Sequence, residues 1–398
     1  MTWRNVGLAV WRRFRLFLCM TMPGVAFICF GVLSVSNSNH AKQHVSSSSL
    51  RESVSAACRD IPDTRSAALQ YLSDVLQIEG EIDEFGVSSR FLRPVSVVRK
   101  LMEAGLAPGG QGEDGKRPGR PLYAVNFGAR DGRGERGNTD PVYPIFAELG
   151  FHGMAVEASP ASFPLLNRTM MGFPVRAVNS FITVDNALQL IRDAGLPHVD
   201  VFKIDIDSFD CDVTPKVLAA YKPLLVIAEY NVYFPPPIKM KLVPSPSGYD
   251  SEKRSNIYEC SISHLDEDVM KPLGYVLLQL DWQNVIYARQ DIAAALGMKQ
   301  GVDVQAAYHR GYTTQPNRSK LVPWGDWVDF EGGKRRKHGL SHLLEISSHE
   351  ERAAAALRWA DVSSHRQEEG AIIGCGNRYA TFQWTVRPPP HLKLREKK

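Results

Sequence analysis

No internal repeat runs through the 398 residues, neither charge sign dominates them, and no basic stripe is laced with aromatics. The net charge is +4, from 47 basic and 43 acidic residues, so nothing argues for nucleic acid as a partner. Acids are missing from the start of the chain, where Glu52 is the first. Cysteine is scarce at six, and two of these, Cys19 and Cys29, sit in an apolar run. The other four, Cys58, Cys211, Cys260 and Cys375, permit two disulfides, in three pairings that spacing does not separate. Cys211 lies between Asp210 and Asp212, whose charges discourage a thiolate, so it is a poor nucleophile. The rest is ordinary for a globular protein: 44% hydrophobic and 23% charged residues, with length for one large domain or two.

One long apolar run is present. Leu16 to Val35 is twenty residues without a charge, about the length of a bilayer-spanning helix. Arg12, Arg13 and Arg15 precede it and a Ser-rich flank follows, so the positive-inside rule places the remainder on the non-cytoplasmic side. The run reads as a type II signal anchor (16–35) behind a basic cytoplasmic segment (1–15), with a lumenal domain in the Golgi or ER. A cleaved signal peptide, and hence secretion, or an organelle-targeting segment are the alternatives. Sequons at Asn167 and Asn317 fit a secretory route.

Beyond the run, 36–60 reads as a stem, and 61–120 as a helical lead-in that ends in the Gly/Pro/charge linker "APGGQGEDGKRPGRP". From 121 to 296 strand and helix signals alternate. "LYAVNFG", "HGMAVEAS", "VRAVNSFIT", "VDVFKIDID" and "PLLVIAEYN" read as strands, and "YVLLQLD" with "NVIYAR" as two closing strands. The stretches between them read as helices, one opened by Asp140 as N-cap with Pro141 behind it and another carried by "TPKVLAAY". This predicts an α/β fold, a doubly wound, mostly parallel seven-stranded sheet. Residues 297–398 read as a helical C-terminal extension of unknown role. Its His338, His342 and His349 recur at helical spacing with too few companions for a zinc site.

In a doubly wound sheet, ligands bind outside the carboxyl ends of the strands. That rim would carry Gly128, Glu157, Asn179, the pair Asp205 and Asp207, and Glu229 with Asn231. "VFKIDIDSFDCDV" is the most unusual stretch, with Asp205, Asp207, Asp210 and Asp212 inside eight residues. Like charges that close destabilise one another unless a ligand uses them. Gly132, Gly134 and Gly137 match G-x-G-x-x-G, but the strand ends near Gly128 and no helix opens before Asp140, so the nucleotide fingerprint lacks its context. The fitting glycines are Gly128 and Gly132 in "NFGARDG", directly after a strand.

Taken in order, "NFGARDG", "GMAVEASP", "VFKIDIDSFDCDV", "VIAEYN" and "GYVLLQLDWQNVIYAR" resemble the FkbM-type family of class I S-adenosylmethionine-dependent methyltransferases, over about Leu122 to Arg289. The resemblance implies S-adenosylmethionine as cofactor, with Gly128 and Gly132 flanking its methionine part, Glu157 on the ribose, and Asn179 with Ser180 near the adenine. Asn126 would contact the amino group, at a position where the family usually has an acid. Lys203, Asp205 and Asp207 would match the family's strand-end lysine and acids, with Asp205, Asp207 and Glu229 as candidate catalytic residues. An alternative use of Asp205, Asp207, Glu229 and Asn231 is to hold Mg2+. The expected reaction is O-methylation of a hydroxyl or carboxyl acceptor, such as a small molecule or a glycan of the secretory pathway. The long segment Pro235 to Cys260 would offer acceptor contacts, and Tyr230, Tyr233 and Tyr249 are candidates to stack on a sugar. Two alternatives stand: a type II glycosyltransferase that uses Asp205-Ile-Asp207 to hold metal and a sugar nucleotide, and a non-catalytic binding module.

Overall fold

The computed structural model describes residues 54–65, 71–77, 91–107, 120–133, 140–243, 258–315, 328–329, 336–337, 346–363, 370–376 and 378–383. The apolar run at 16–35, Gly134, Gly137, Tyr249, Asn317, His338 and His342 lie outside them. Among the described residues no helix is long and apolar enough to cross a membrane.

The lead-in supplies two helices, α1 (Leu72–Leu76) and α2 (Pro94–Glu103). Helix α2 opens on a proline, whose missing N–H costs nothing in the first turn, and buries Val95, Val97, Val98 and Leu101. The sheet follows. Strands β1 (Tyr123–Phe127), β2 (His152–Glu157), β3 (Val175–Asn179), β4 (Val201–Ile204) and β5 (Leu225–Glu229) alternate with α3 (Tyr143–Leu149), α4 (Phe163–Met170), α5 (Ala187–Asp193) and α6 (Asp210–Tyr221). Next come β6 (Lys239–Val243), which lies in another sheet, and the hairpin of β7 (Tyr275–Asp281) with β8 (Asn284–Arg289).

The main sheet runs β3-β2-β1-β4-β5-β8-β7. Strands β1 to β5 are parallel, while β8 enters antiparallel between β5 and β7. Helices cover both faces of such a sheet, so central strands read as unbroken apolar runs; all four residues of β4 are buried, Lys203 included. Edge strand β3 is half-exposed and carries Arg176. The order reverses between β1 and β4, which leaves a crevice at their carboxyl ends. The doubly wound, seven-stranded expectation is met.

Helix boundaries differ from those expected. Helix α3 starts at Tyr143, so Asp140 caps it from the loop: its Oδ1 accepts from the N–H groups of Val142 (2.8 Å) and Tyr143 (3.0 Å). Helix α6 starts at Asp210 and runs through Pro215, four residues earlier than "TPKVLAAY" implies. Asp210 and Asp212 therefore lie in its first turn, where the helix dipole favours acids.

The segment after 296 is no separate appendage and is not purely helical. Helices α7 (Gln290–Ala295) and α8 (Val304–Tyr308) follow the hairpin, and the Tyr308 hydroxyl donates to the Val232 carbonyl at 2.7 Å. Short strands β9 (Val328–Asp329) and β10 (Arg336–Lys337) pair with each other. After α9 (His349–Ser363), β11 (Gly370–Cys375) pairs with β12 (Arg378–Gln383) and with β6, making a second sheet β12-β11-β6. The lead-in is fastened too. Buried Gln279 of β7 takes both backbone groups of Leu92, accepting from its N–H at 3.0 Å and donating to its carbonyl at 2.9 Å. Disulfides join Cys58 to Cys375 and Cys211 to Cys260.

The Cys58–Cys375 bond closes 317 residues and its neighbour closes 49. Cys58→Ser is expected to cost about 3–5 kcal/mol in urea unfolding, and more than Cys211→Ser. Equal or negligible losses would show that the lead-in and the terminal hairpin are held by packing alone.

Candidate active site

The crevice begins at a glycine. Gly128 follows β1 at φ +77°, and a Cβ there would lie 1.6 Å from the carbonyl oxygen of Asp205. The ends of β1 and β4 thus meet backbone to backbone, a contact that a side chain would abolish. The Gly128 and Ala129 N–H groups donate to the Val156 carbonyl at 3.1 and 2.9 Å. Gly132 (φ +80°) packs on α4: a Cβ there would meet Met170 and Leu166 at 2.6 and 2.9 Å.

Glu157, at the end of β2, clamps this turn. Its Oε2 accepts from the Arg130 N–H and its Oε1 from the Ser159 N–H, both at 2.7 Å. Asn179 Nδ2 donates to the Glu157 carbonyl at 2.7 Å, and the Ser180 N–H donates to the same oxygen at 3.1 Å. Gly128, Glu157, Asn179 and Ser180 are therefore one contiguous rim, as the sequence implies.

Asn126 is fully buried. Its Nδ2 donates to Asp140 Oδ2 at 2.9 Å, while its Oδ1 has no hydrogen-bond partner among the described residues. Burial pushes the Asp140 carboxyl up, against the pull of Lys203 and the Asn126 bond. Asp140 was seen in the sequence only as a cap; its burial against Asn126 was not legible.

Lys203 is the buried cation of the site, 2% exposed. Its Nζ donates to Asp205 Oδ2 at 3.0 Å and to the Gly128 carbonyl at 2.8 Å. Burial alone would lower this ammonium, but Asp205, Asp140 and Glu229 together hold it above its ordinary value. Asp205 in turn is bonded to Glu229. Burial opposes the Asp205 anion, yet Lys203 and the Glu229 bond keep its carboxyl below the usual range. Burial and the Asp205 charge push Glu229 well above it.

The four acids of "IDIDSFDCD" part company. Asp205 and the exposed Asp207 stay at the rim, Asp207 in the left-handed region at φ +54°. Asp210 turns back to its own loop and accepts from the Ile206 N–H (2.9 Å) and the Ser208 N–H (3.0 Å). Burial pushes its carboxyl up to about 7 despite both bonds. Asp212 pairs with Lys241 of β6.

The proposed four-residue cation set does not assemble as read. Asn231 is buried, with Nδ2 donating to the Tyr258 carbonyl (3.0 Å) and Oδ1 accepting from the Tyr233 N–H (2.9 Å). The third acid that meets Asp205 and Asp207 is Glu259, at the end of the Pro235–Cys260 segment, and nothing local in the sequence marked it. Tyr230 and Tyr233 are also reassigned. Both are buried core residues, the Tyr230 hydroxyl donating to the Trp282 carbonyl at 2.9 Å, so neither faces an acceptor.

No protein-family model matches the chain, and no curated protein matches it. Solved structures similar to it include S-adenosylmethionine-dependent methyltransferases at low identity. An S-adenosylmethionine-bound amino pentose methyltransferase from Micromonospora echinaspora is 10% identical, with 49% of this chain and 89% of that one covered at a TM-score of 0.27. An S-adenosylmethionine-dependent methyltransferase from Clostridium acetobutylicum is 11% identical, covering 49% and 89% at 0.28. An O-methyltransferase described as putative, from Klebsiella pneumoniae, is 11% identical, covering 55% and 89% at 0.25.

Asn126→Asp would set a second buried carboxyl against Asp140. Such a pair retains a proton that the unfolded chain releases, so stability is lost as pH rises above the ordinary carboxyl pKa. The variant is expected to lose about 2–4 kcal/mol at pH 8 and less at pH 5, read by urea unfolding. A loss independent of pH would place Asn126 and Asp140 out of contact.

Proposed function

We propose that the crevice binds S-adenosylmethionine and that the protein methylates an oxygen, a hydroxyl or carboxyl, of a small-molecule or glycan acceptor. The observation that carries this is the joint at Gly128: a side-chain-free turn, packed on the end of β4, clamped by Glu157 and edged by Asp205. The residues fit the cofactor. A sulfonium is a cation, and the rim offers carboxylates to it; Glu157 presents both oxygens where ribose hydroxyls could donate to them. Lys203 and Glu229 fix the Asp205 carboxylate in place before any ligand arrives.

S-adenosylmethionine, when bound, supplies an electrophilic methyl group. Transfer to an acceptor oxygen needs a partner for the departing hydroxyl proton. Burial and the Asp205 charge raise the Glu229 carboxyl and Asp205 is held by Lys203, which leaves exposed Asp207 as the carboxylate placed to accept one. Asn126, where the resemblance leads one to expect an acid, is wholly buried against Asp140, so this departure does not remove a charge from the rim. That favours an active site over a non-catalytic module.

Location is part of the same proposal. Two disulfides take up all four cysteines outside the apolar run, which supports an oxidising compartment. Asn167 lies exposed on α4, as a glycosylation acceptor must. With Leu16 to Val35 as a type II anchor, the crevice would face the lumen of the Golgi or ER and meet glycan acceptors there.

Calorimetry of the purified chain with S-adenosylmethionine tests the reading. Binding is expected in wild type, weakened tenfold or more by Glu157→Ala, a change of about 1.4 kcal/mol. Asp207→Asn is expected to lower methyl transfer with little effect on that binding. Absence of cofactor binding, with UDP-sugars bound instead in the presence of manganese, would replace this reading by the glycosyltransferase one.

A further inference from the structure

Glu259 is 1% exposed, and among the described residues neither oxygen of its carboxylate has a hydrogen-bond partner. A carboxylate left so is costly enough that it takes up a proton or is completed by a ligand or metal. Burial and four neighbouring acids, Glu229, Asp210, Asp207 and Asp205, all work against its charge. Yet the backbone around it is firmly built. The Glu259 N–H donates to the Ser208 carbonyl at 3.0 Å, and its carbonyl accepts from the Leu242 N–H at 3.0 Å. Its φ is +52°, a conformation that non-glycine residues adopt at a cost of about 1–3 kcal/mol. The next residue, Cys260, is tied to Cys211, and its carbonyl accepts from the Asn231 N–H at 2.8 Å. A side chain with no internal partner is thus delivered to one place by several independent constraints.

That place is the rim. One oxygen each of Glu259, Asp205 and Asp207 lie within 4.8 Å of one another. Oxygen ligands about 2.3–2.6 Å from a calcium-sized ion stand at most about 5 Å apart, so the three can reach a single ion by small side-chain rotations. All three donors are hard carboxylate oxygens, without sulfur or imidazole, which selects a hard dication over zinc or copper. Asp207 is exposed, so water can complete the coordination shell. Of the positive charges near Asp205, Lys203 and Arg130, Lys203 is already spent on Asp205 and the Gly128 carbonyl.

We propose that Asp205, Asp207 and Glu259 form a binding site for one hard divalent cation, of the Ca2+ or Mn2+ kind. The site neutralises the acids of the rim and joins the loop after β4 to the segment before Cys260, beside the Cys211–Cys260 disulfide. It shares Asp205 and Asp207 with the crevice proposed for methyl transfer, and cation binding is read without the cofactor.

The test is titration of the metal-free full chain with Mn2+, followed by the loss of the free-ion EPR signal, with no S-adenosylmethionine or nucleotide present. One ion per chain is expected. Glu259→Gln is expected to weaken it at least tenfold, whereas Asp212→Asn, which alters the acid paired with Lys241, leaves it unchanged. Thermal unfolding supplies the folding control: Ca2+ should raise the Tm of wild type and not that of Glu259→Gln, which without metal should be at least as stable as wild type. No binding at millimolar Mn2+, or binding and Tm shifts equal in wild type and Glu259→Gln, would overturn the proposal and leave the acids as a proton-sharing cluster.

Discussion

A buried ammonium holds the crevice together. Lys203 sits inside a fully buried strand, and its three protons go to what surrounds the reversal of strand order: the Gly128 carbonyl and the Asp205 carboxylate above all. A lysine in such a place survives as a cation only if acids compensate it. Asp205, Asp140 and Glu229 do so from three different segments. The dependence is mutual. Without Lys203, Asp205 would lose the largest influence that favours its charge against burial, and the turn at Gly128 would lose a donor from the strand behind it.

Around that cation the charges are sorted by depth. Asp140 is buried beside Asn126, Asp205 and Glu229 lie against each other at the strand ends, and Asp207 reaches solvent. Asp210, although in the same short stretch, faces away and serves the N–H groups of Ile206 and Ser208. Two oxygens of one side chain thereby set the path of the loop that displays two others. Adjacency in sequence said little about which acids share an environment.

The parallel strands were legible because they are buried on both faces, so Ala124 to Phe127, Val201 to Ile204 and Leu225 to Ala228 leave an almost continuous apolar imprint. The rim residues Gly128, Glu157 and Asn179 followed from where those strands stop. Strand β6 was not legible. Its lysines look solvated, yet Lys239 is buried and reaches Glu267 and Asp268, while Lys241 reaches Asp212. Partners that far along the chain leave no local pattern. Glu259 was hidden for the same reason, since it meets Asp205 and Asp207 only after a long excursion. Tyr230 and Tyr233 misled because an aromatic in a Pro-rich stretch reads alike whether it packs inward or awaits a ligand; here the core claims both.

The pairing of β6 with β11 has a consequence for how the protein can be divided. Five residues of β6 exchange main-chain bonds with a strand that arrives more than a hundred residues later. A chain ended after the main sheet would not be a smaller copy of the whole. It would carry an open sheet edge, a template for sticking to its own kind, and an unmated sulfur at Cys58 able to cross-link two such copies. The tail is in that sense a cover the molecule makes for itself, and what it covers is the flank of the segment that delivers Glu259.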